Sequence, residues 1–458
     1  MRRRLAACRL LIVSAPRLRW LLYALLLAEL LLFTWFRGLF GPYASPVVLY
    51  GLALASCAGL YRLTRHAAWP PAAAADSGVP ASSWPGRAAT LLAVIAGTWV
   101  STVWALKFIR QMPLNVNSSD IIPAVQVYAR RWLADEPVYQ PLTRELGRFA
   151  LPTYLPATWF PFVLPEWLGF DYRLLAFAAL LGLGAGSYLL VLRPGSLRRR
   201  WPAALALVLV PFVSVFFLVR TEKGLVGQTV EGLIIGYYAL LVAGILRRNL
   251  LLTALGLSLC LLSRYALVLW VPLYLGLMFG QDSRRRALLL AGLVLAAVGL
   301  FYGLPYLRHD WTLPARVLAA YTDAAVAEWQ HLRPADGRPY HVYNGVGLAP
   351  FFYHFGPASL LARVQLLKTV HLTLLLATVL GAALLYVRQQ APRTDYRLYA
   401  VLVLKLYLAT FYAFLQVPYA YLAAVGIFLS AFLVLIVEGA RAGSREQGVI
   451  SPGGATHR

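Results

Sequence analysis

The sequence predicts an all-α integral membrane protein that crosses the bilayer about twelve times, and three observations carry that expectation. First, 60% of the 458 residues are hydrophobic and 13% are charged, where soluble domains run near 45–50% apolar and about 25% charged. A chain this apolar needs lipid as its solvent. Second, apolar runs of spanning length recur along the whole sequence. Third, the arginines behind the net charge of +24 fall in short clusters between those runs. That pattern orients membrane proteins and differs from the continuous basic face of a nucleic-acid binder, so no nucleic-acid partner is expected.

A spanning helix needs roughly 17–25 mostly apolar residues. The candidates are Trp20–Phe36, Pro46–Tyr61, Ala88–Phe108, Leu174–Leu192, Trp201–Val219, Val230–Leu246, Ala287–Leu307, Leu367–Val387, Leu398–Leu415 and Tyr419–Val437. Between Leu250 and Phe279 runs a longer apolar stretch interrupted by Ser263 and Arg264. The basic clusters are Arg2–Arg4, Arg62/Arg65, Arg193/Arg198–Arg200, Arg247/Arg248, Arg284–Arg286, Arg388/Arg393 and Arg441/Arg445. They share the cytoplasmic side only if that interrupted stretch crosses twice or dips in and returns. Each of its arms rises about 20 Å, short of the ~30 Å hydrocarbon core. Arg264 is therefore expected at a hairpin tip below the outer surface. Counting the hairpin as two gives twelve crossings with both termini inside.

The domain boundaries follow composition. Residues 1–63 are a helix pair set apart as an appendage, and residues 64–87 hold a cytoplasmic Pro/Ala/Ser linker, "HAAWPPAAAADSGVPASSWPGR", with no core-forming pattern. Residues 88–438 form the transmembrane core, and residues 439–458 a disordered cytoplasmic tail. The opening "MRRRLAACRLLIVSAPRLRW" reads as a basic anchor, because no small-residue cleavage site follows a compact apolar core. The three cysteines, Cys8, Cys57 and Cys260, lie in or beside apolar runs and show neither metal spacing nor a disulfide framework. Arginine exceeding lysine, with abundant Ala and Leu, points to a GC-rich bacterial source and hence the inner membrane.

Two outer connections are long. The first, Ile109 to Arg173, contains "LPTYLPATWFPFVLPEWL", whose four prolines rule out a regular span. With Trp159 and Trp167 it reads as short interfacial or re-entrant helices in a periplasmic loop. The second, Arg308 to Arg363, is rich in His, Tyr and Trp.

Asp120 is the first candidate for chemistry. It stands in "NVNSSDIIPAV", a polar break directly behind the apolar run Ala88–Phe108, in a chain with only 18 acidic residues. One role is an N-cap for the helix that follows; the other is a carboxylate base at the membrane boundary. Arg264 likewise has two readings, a phosphate ligand, for which a planar guanidinium is suited, or the partner of a membrane acid such as Glu231. A buried membrane arginine is costly and is paired or functional.

The segment "DIIPAVQVYARRWLADEPVYQPL" resembles the start of the polyprenyl-phosphate-mannose-dependent glycosyltransferases, family 87 of the GT-C class. "PTYLPATWFPFVLP" and "GQTVEGLIIGYYALLVAGILRRNLLLTALGLSLCLLSRYALVLWVPL" are similar to that family's Pro-rich and Gln-bearing stretches. The resemblance covers roughly Ala88 to Phe279 and departs where Arg264 stands for the usual Lys and Tyr265 for the usual Pro. It implies a GT-C-like fold and transfer of a mannose-like sugar from a polyprenyl-phosphate donor to a lipid or glycan hydroxyl at the periplasmic face. Asp120 would be the general base of an inverting displacement. Arg264 would hold the donor phosphate, with Arg220, Lys223 and Lys405 as further cationic candidates. Gln228, Tyr154, Trp159 and His341 would contact donor or acceptor. No cofactor or metal is expected. Two rival classes remain: a transporter or flippase of lipid-linked sugars, and an enzyme like the O-antigen ligases and polymerases.

Overall fold

The computed structural model describes residues 15–65, 84–116, 119–147, 152–192, 201–388 and 394–446. Most of the expected linker, and residues 447–458 of the expected tail, lie outside these ranges. Among the described residues the regular structure is helical, apart from one isolated bridge between Leu332 and Pro339. Seven helices are long and apolar enough to cross a membrane. The chain thus has the architecture of an all-α membrane protein.

Helices α1 (Ala15–Thr34) and α2 (Gly41–Thr64) pack together and precede α3 (Trp84–Gln111). The first outer connection folds into α4 (Ile121–Leu133), α5 (Thr143–Leu146), α6 (Pro156–Trp159), a 3-10 turn at Phe160–Phe162, and α7 (Val163–Leu168). Pro156 and Pro161 sit in the first turns of their helices, where a missing N–H costs nothing. The Pro-rich segment therefore folds as a chain of short turns.

Next come α8 (Tyr172–Val191), α9 (Trp201–Thr221), α10 (Lys223–Gly227) and α11 (Glu231–Arg247). α8 carries a π-helical turn at Leu180–Ala185. α11 is the axis of the bundle, with every residue from Glu231 to Leu246 buried. Glycine makes this possible. A Cβ on Gly232 would lie 2.5 Å from the Ala176 carbonyl oxygen, and one on Gly244 2.6 Å from the Thr253 amide. Small residues let helices in lipid meet backbone to backbone, where dispersion does the holding.

The remaining helices are α12 (Leu250–Leu261), α13 (Trp270–Gln281), α14 (Arg284–Gly303), α15 (Leu313–Gln330), α16 (Tyr340–Asn344), α17 (Ala349–Phe355), α18 (Leu360–Arg388), α19 (Tyr396–Ala413) and α20 (Ala420–Glu446).

Polar contacts establish how the interrupted stretch runs. Arg248, just before α12, is ion-paired with Asp282, just after α13, and Arg286 reaches the Arg248 carbonyl at 2.6 Å. The two ends therefore lie side by side, and Leu250–Gln281 is a hairpin. Each arm has 12 residues, about 18 Å of rise. Tyr396 Oη donates to Asp282 at 2.9 Å, Arg397 to the Leu246 carbonyl at 3.3 Å, and Thr394 Oγ1 to the Arg65 carbonyl at 3.4 Å. One end of the bundle thus gathers Arg65, Arg248, Arg286 and Arg397, as the charge pattern requires. The opposite end carries the long connections, where Arg37 pairs with Glu222 at 2.5 Å and the Tyr43 and Tyr343 hydroxyls lie 3.2 Å apart.

Two boundaries differ from the sequence expectation. The N-terminal pair is part of the bundle, because Glu29 on α1 is 2% exposed and reaches Lys405 Nζ of α19 at 2.6 Å and Ser430 of α20 at 2.7 Å. Burying two charges in apolar protein is tolerable only when they pair, so α1 is fixed at its centre. The expected tail also begins late: residues 439–446 continue α20.

Candidate active site at the loop-bearing end

Asp120 stands at the head of α4. Its carbonyl accepts from the Ala124 amide at 2.8 Å, which is the backbone geometry of an N-cap, yet its side chain makes no capping hydrogen bond. Ser119 does that work, accepting from the Ile121 amide at 3.4 Å. The Ser119 hydroxyl also donates to the Gln228 carbonyl at 3.0 Å. Gln228 closes α10, its amide donating to Gly224 at 3.0 Å, so its backbone anchors the Asp120 turn. Behind the turn, Arg173 donates to the Met112 carbonyl at 2.5 Å and the Gly227 carbonyl at 3.3 Å while gripping Asp171 at 2.6 Å. Burial pushes the Asp171 carboxyl up, but the Arg173 guanidinium and amide together hold it below the usual carboxylate range.

The rest of the first connection is a framework. The Tyr154 amide donates to Tyr128 Oη at 3.4 Å, and Tyr139 Oη donates to the Tyr154 carbonyl at 3.0 Å. Buried Arg131 donates to the Gln140 and Pro141 carbonyls at 2.9 and 3.0 Å and to Glu145 at 2.6 Å. Trp159 is fully buried, stacks on Tyr128 with centroids 5.9 Å apart, and donates its indole N–H to Tyr139 at 3.1 Å. This corrects its placement as a sugar contact. The ring is closed off from solvent and its polar edge is engaged by protein, a state that sequence cannot distinguish from a free aromatic.

This framework seats the hairpin tip. The Ala157 amide donates to the Leu262 carbonyl at 2.9 Å, and Thr158 Oγ1 to the Ser263 carbonyl at 3.0 Å. A helix break among apolar segments needs such partners, because lipid supplies none. The next residue, Arg264, donates Nη2 to Glu231 Oε1 at the head of α11 and Nη1 to Tyr412 Oη at 3.5 Å. The Glu231 pairing considered from sequence is therefore present. The Arg264 side chain keeps 24% exposure while Glu231 keeps 2%. Glu231 Oε2 and the Tyr238 hydroxyl, both buried beside Arg264, have no hydrogen-bond partner among the described residues.

Three tyrosines sense the charge of the acid, and two of them also that of the guanidinium. The Tyr321 hydroxyl on α15 lies in the electrostatic field of both Arg264 and Asp120. Tyr421 on α20 lies in the field of Glu231, Arg264 and Asp120, and Tyr154 in that of Asp120. The hydrogen bonds place both at the head of α11, since Ser119 beside Asp120 bonds Gln228 and Glu231, three residues on, pairs with Arg264. Burial pushes the Tyr154 and Tyr321 phenols above their ordinary value, so both remain protonated donors. Sequence reading missed Tyr321 and Tyr421. The available signals were Pro314, which opens α15, and the "PYAY" that leads into α20.

The other candidates fall elsewhere. Lys405 is 1% exposed and bonded to Glu29 and to the Gly426 carbonyl at 2.7 Å, which removes it as a phosphate ligand. Arg220 lies over the Trp104 ring at 5.3 Å and Lys223 over Phe108 at 5.5 Å, both exposed beside α3. They are snorkelling cations, and no contact joins them to Arg264. His341 sits at the rim: its ring meets Tyr419 at 4.8 Å, which stacks on Tyr421, and its Nε2 lies 3.8 Å from Glu328. Burial, helped by nearby His331, holds that imidazole below its usual value against the pull of Glu328. Among the described residues no group of three or more His, Cys, Asp or Glu is placed to hold a metal.

Comparison of the chain with protein-family models, curated proteins and solved structures finds no match.

Proposed function

We propose that the protein is a GT-C-type membrane glycosyltransferase, similar to family 87, that moves a mannose-like sugar from a polyprenyl-phosphate carrier to a lipid or glycan hydroxyl. One observation carries the reading: Ser119, next to Asp120, bonds the Gln228 carbonyl at 3.0 Å, and Glu231, three residues further on at the head of α11, pairs with Arg264. Twelve crossings follow if α1, α11, α12, α13 and α19 are added to the seven long spans. The basic end then faces the cytoplasm, and the site opens on the extracytoplasmic face of a bacterial inner membrane, surrounded by bilayer lipid.

In this reading Asp120 takes the proton of the acceptor hydroxyl as its oxygen bonds to the anomeric carbon. The bond from that carbon to the phosphate oxygen breaks on the opposite face, so the configuration inverts and the electron pair leaves with the phosphate. Arg264 stabilises the departing anion. Glu231 holds one edge of the guanidinium and so fixes the direction in which the rest can point. One carboxylate is sufficient, because the phosphate leaves without being protonated, unlike the leaving group in glycosidases.

The test is transfer from labelled polyprenyl-phosphate mannose in proteoliposomes. Product formed by the wild type and lost in Asp120→Asn supports the assignment. Full activity of folded Asp120→Asn overturns the base. Movement of the lipid-linked sugar across the bilayer without product assigns transport in its place.

A further inference from the structure

α10 is a fixed platform beside the Asp120 turn. Arg173 donates to the Gly227 carbonyl at 3.3 Å, Ser119 donates to the Gln228 carbonyl at 3.0 Å, and a Cβ on Gly227 would collide with Met112 Sδ. Over this platform two side-chain oxygens converge. A Cβ built on Gly224 would lie 3.3 Å from Glu222 Oε1 and 3.4 Å from Gln228 Oε1, with nothing else within 4 Å beyond the local helix. Glu222 Oε2 accepts from Arg37 Nη1 at 2.5 Å, which turns Oε1 toward this spot. Gln228 is half-buried, and its carboxamide makes no hydrogen bond among the described residues. The two oxygens therefore face open space with no protein donor between them.

Resting on the glycosyl-transfer reading, we infer that Glu222 and Gln228 form the acceptor subsite and that the acceptor is a sugar, not a monohydric lipid alcohol. Two acceptor oxygens aimed at one open spot require a ligand that brings hydrogen-bond donors. A cation is the first alternative. Arg37 already neutralises Glu222, however, and exposed Lys223 adds a further positive charge, so the local field repels a cation and leaves neutral hydroxyls as the fitting donors. The subsite adjoins the base, because Ser119, which precedes Asp120, bonds the carbonyl of Gln228 itself. Once the reacting hydroxyl is at Asp120, a monohydric alcohol has nothing left to donate, whereas a sugar has further hydroxyls on adjacent carbons. A site built to bond hydroxyls rejects an analogue that lacks them, because its own polar groups are then left unpaired. The ties of α10 to Arg173 and Ser119 hold the platform in place before the acceptor arrives, which limits the entropy lost on binding.

The experiment measures initial rates of the full-length protein in nanodiscs, from labelled polyprenyl-phosphate mannose to two acceptors, octyl α-mannoside and octanol. The two share a tail and differ in the sugar. The wild type should prefer octyl mannoside by roughly 10-fold or more in kcat/KM, the effect of one hydrogen bond to a charged group. Glu222→Ala and Gln228→Ala should each raise the KM for octyl mannoside roughly 10-fold and leave the donor KM unchanged. Gly224→Ala removes no polar group and favours the helix, but it sets a methyl group between the two oxygens. It should raise the same KM while the melting temperature holds or rises. Equal use of both acceptors by the wild type, an unaltered acceptor KM in Gly224→Ala, or a donor KM that rises in step with the acceptor KM overturns the inference. Transfer to neither acceptor overturns the glycosyl-transfer reading itself, a separate outcome.

Discussion

Glu29 and Lys405 meet at 2.6 Å in the centre of the helix bundle, with side-chain exposures of 2% and 1%. Removing one charge strands the other, which costs about 3–5 kcal/mol where a buried pair is broken, whereas replacing both with apolar residues of similar volume is close to neutral. Lys405→Met should therefore lower the melting temperature in detergent sharply, and Glu29→Leu with Lys405→Met should restore most of it. If Lys405 instead bound phosphate, the double variant would be stable and inactive; the geometry predicts that it is stable and active.

Asp120→Asn should keep the fold, because the turn is held through the Asp120 backbone carbonyl on Ala124 and through Ser119 on the Gln228 carbonyl. Its melting temperature should match the wild type within a degree or two. Its transfer rate should fall by roughly 10²–10⁴-fold, the usual weight of a general base. Single-turnover measurements with saturating donor separate this loss from a binding defect.

Arg264→Lys keeps a positive charge opposite Glu231 but loses the planar fork that suits both carboxylate and phosphate. Donor KM should rise roughly 10–100-fold, since hydrogen bonds to charged groups are worth about 1.5–3 kcal/mol each. Arg264→Ala should additionally destabilise the protein by leaving Glu231 buried and unpaired. Adding Glu231→Gln to Arg264→Ala should recover stability without recovering transfer, and thermal unfolding beside initial rates reads both.

Acid should loosen the latch at Asp171. Its folded-state carboxyl is held below the ordinary value by Arg173 against the opposing effect of burial. A depressed acid contributes stability that is complete above its unfolded-state value, near pH 4, and is lost as pH falls through the lower folded value. Limited proteolysis between Met112 and Asp120 should accelerate below about pH 4 in the wild type. In Asp171→Asn it should be faster at neutral pH and lose most of that dependence.

How much of this could be read from the chain varies with the range of the interactions involved. The hairpin was legible because Arg248 and the Arg284–Arg286 cluster bracket it, and parity of crossings is a local count; the Arg248–Asp282 pair realises that count. The Asp120 break was legible from its contrast with the apolar run before it. Lys405 was misread because its partner is 376 positions away, and no local pattern names the acid that neutralises a membrane cation. Trp159 was misread because a buried and a substrate-facing indole have the same neighbours in sequence. Tyr321 escaped because α15 takes its place from Lys368 and Gln416, contacts made only once the bundle has assembled.

The seating of Ser263 on Thr158 also imposes an order on biogenesis. Thr158 leaves the ribosome 105 residues before Ser263, and at ~5–20 residues per second that interval is on the order of 5–20 s. Until the hairpin inserts, the Ala157–Thr158 shelf has no polar surface to close against. The first long connection therefore waits incomplete and reaches its final shape only when a much later part of the chain arrives beneath it.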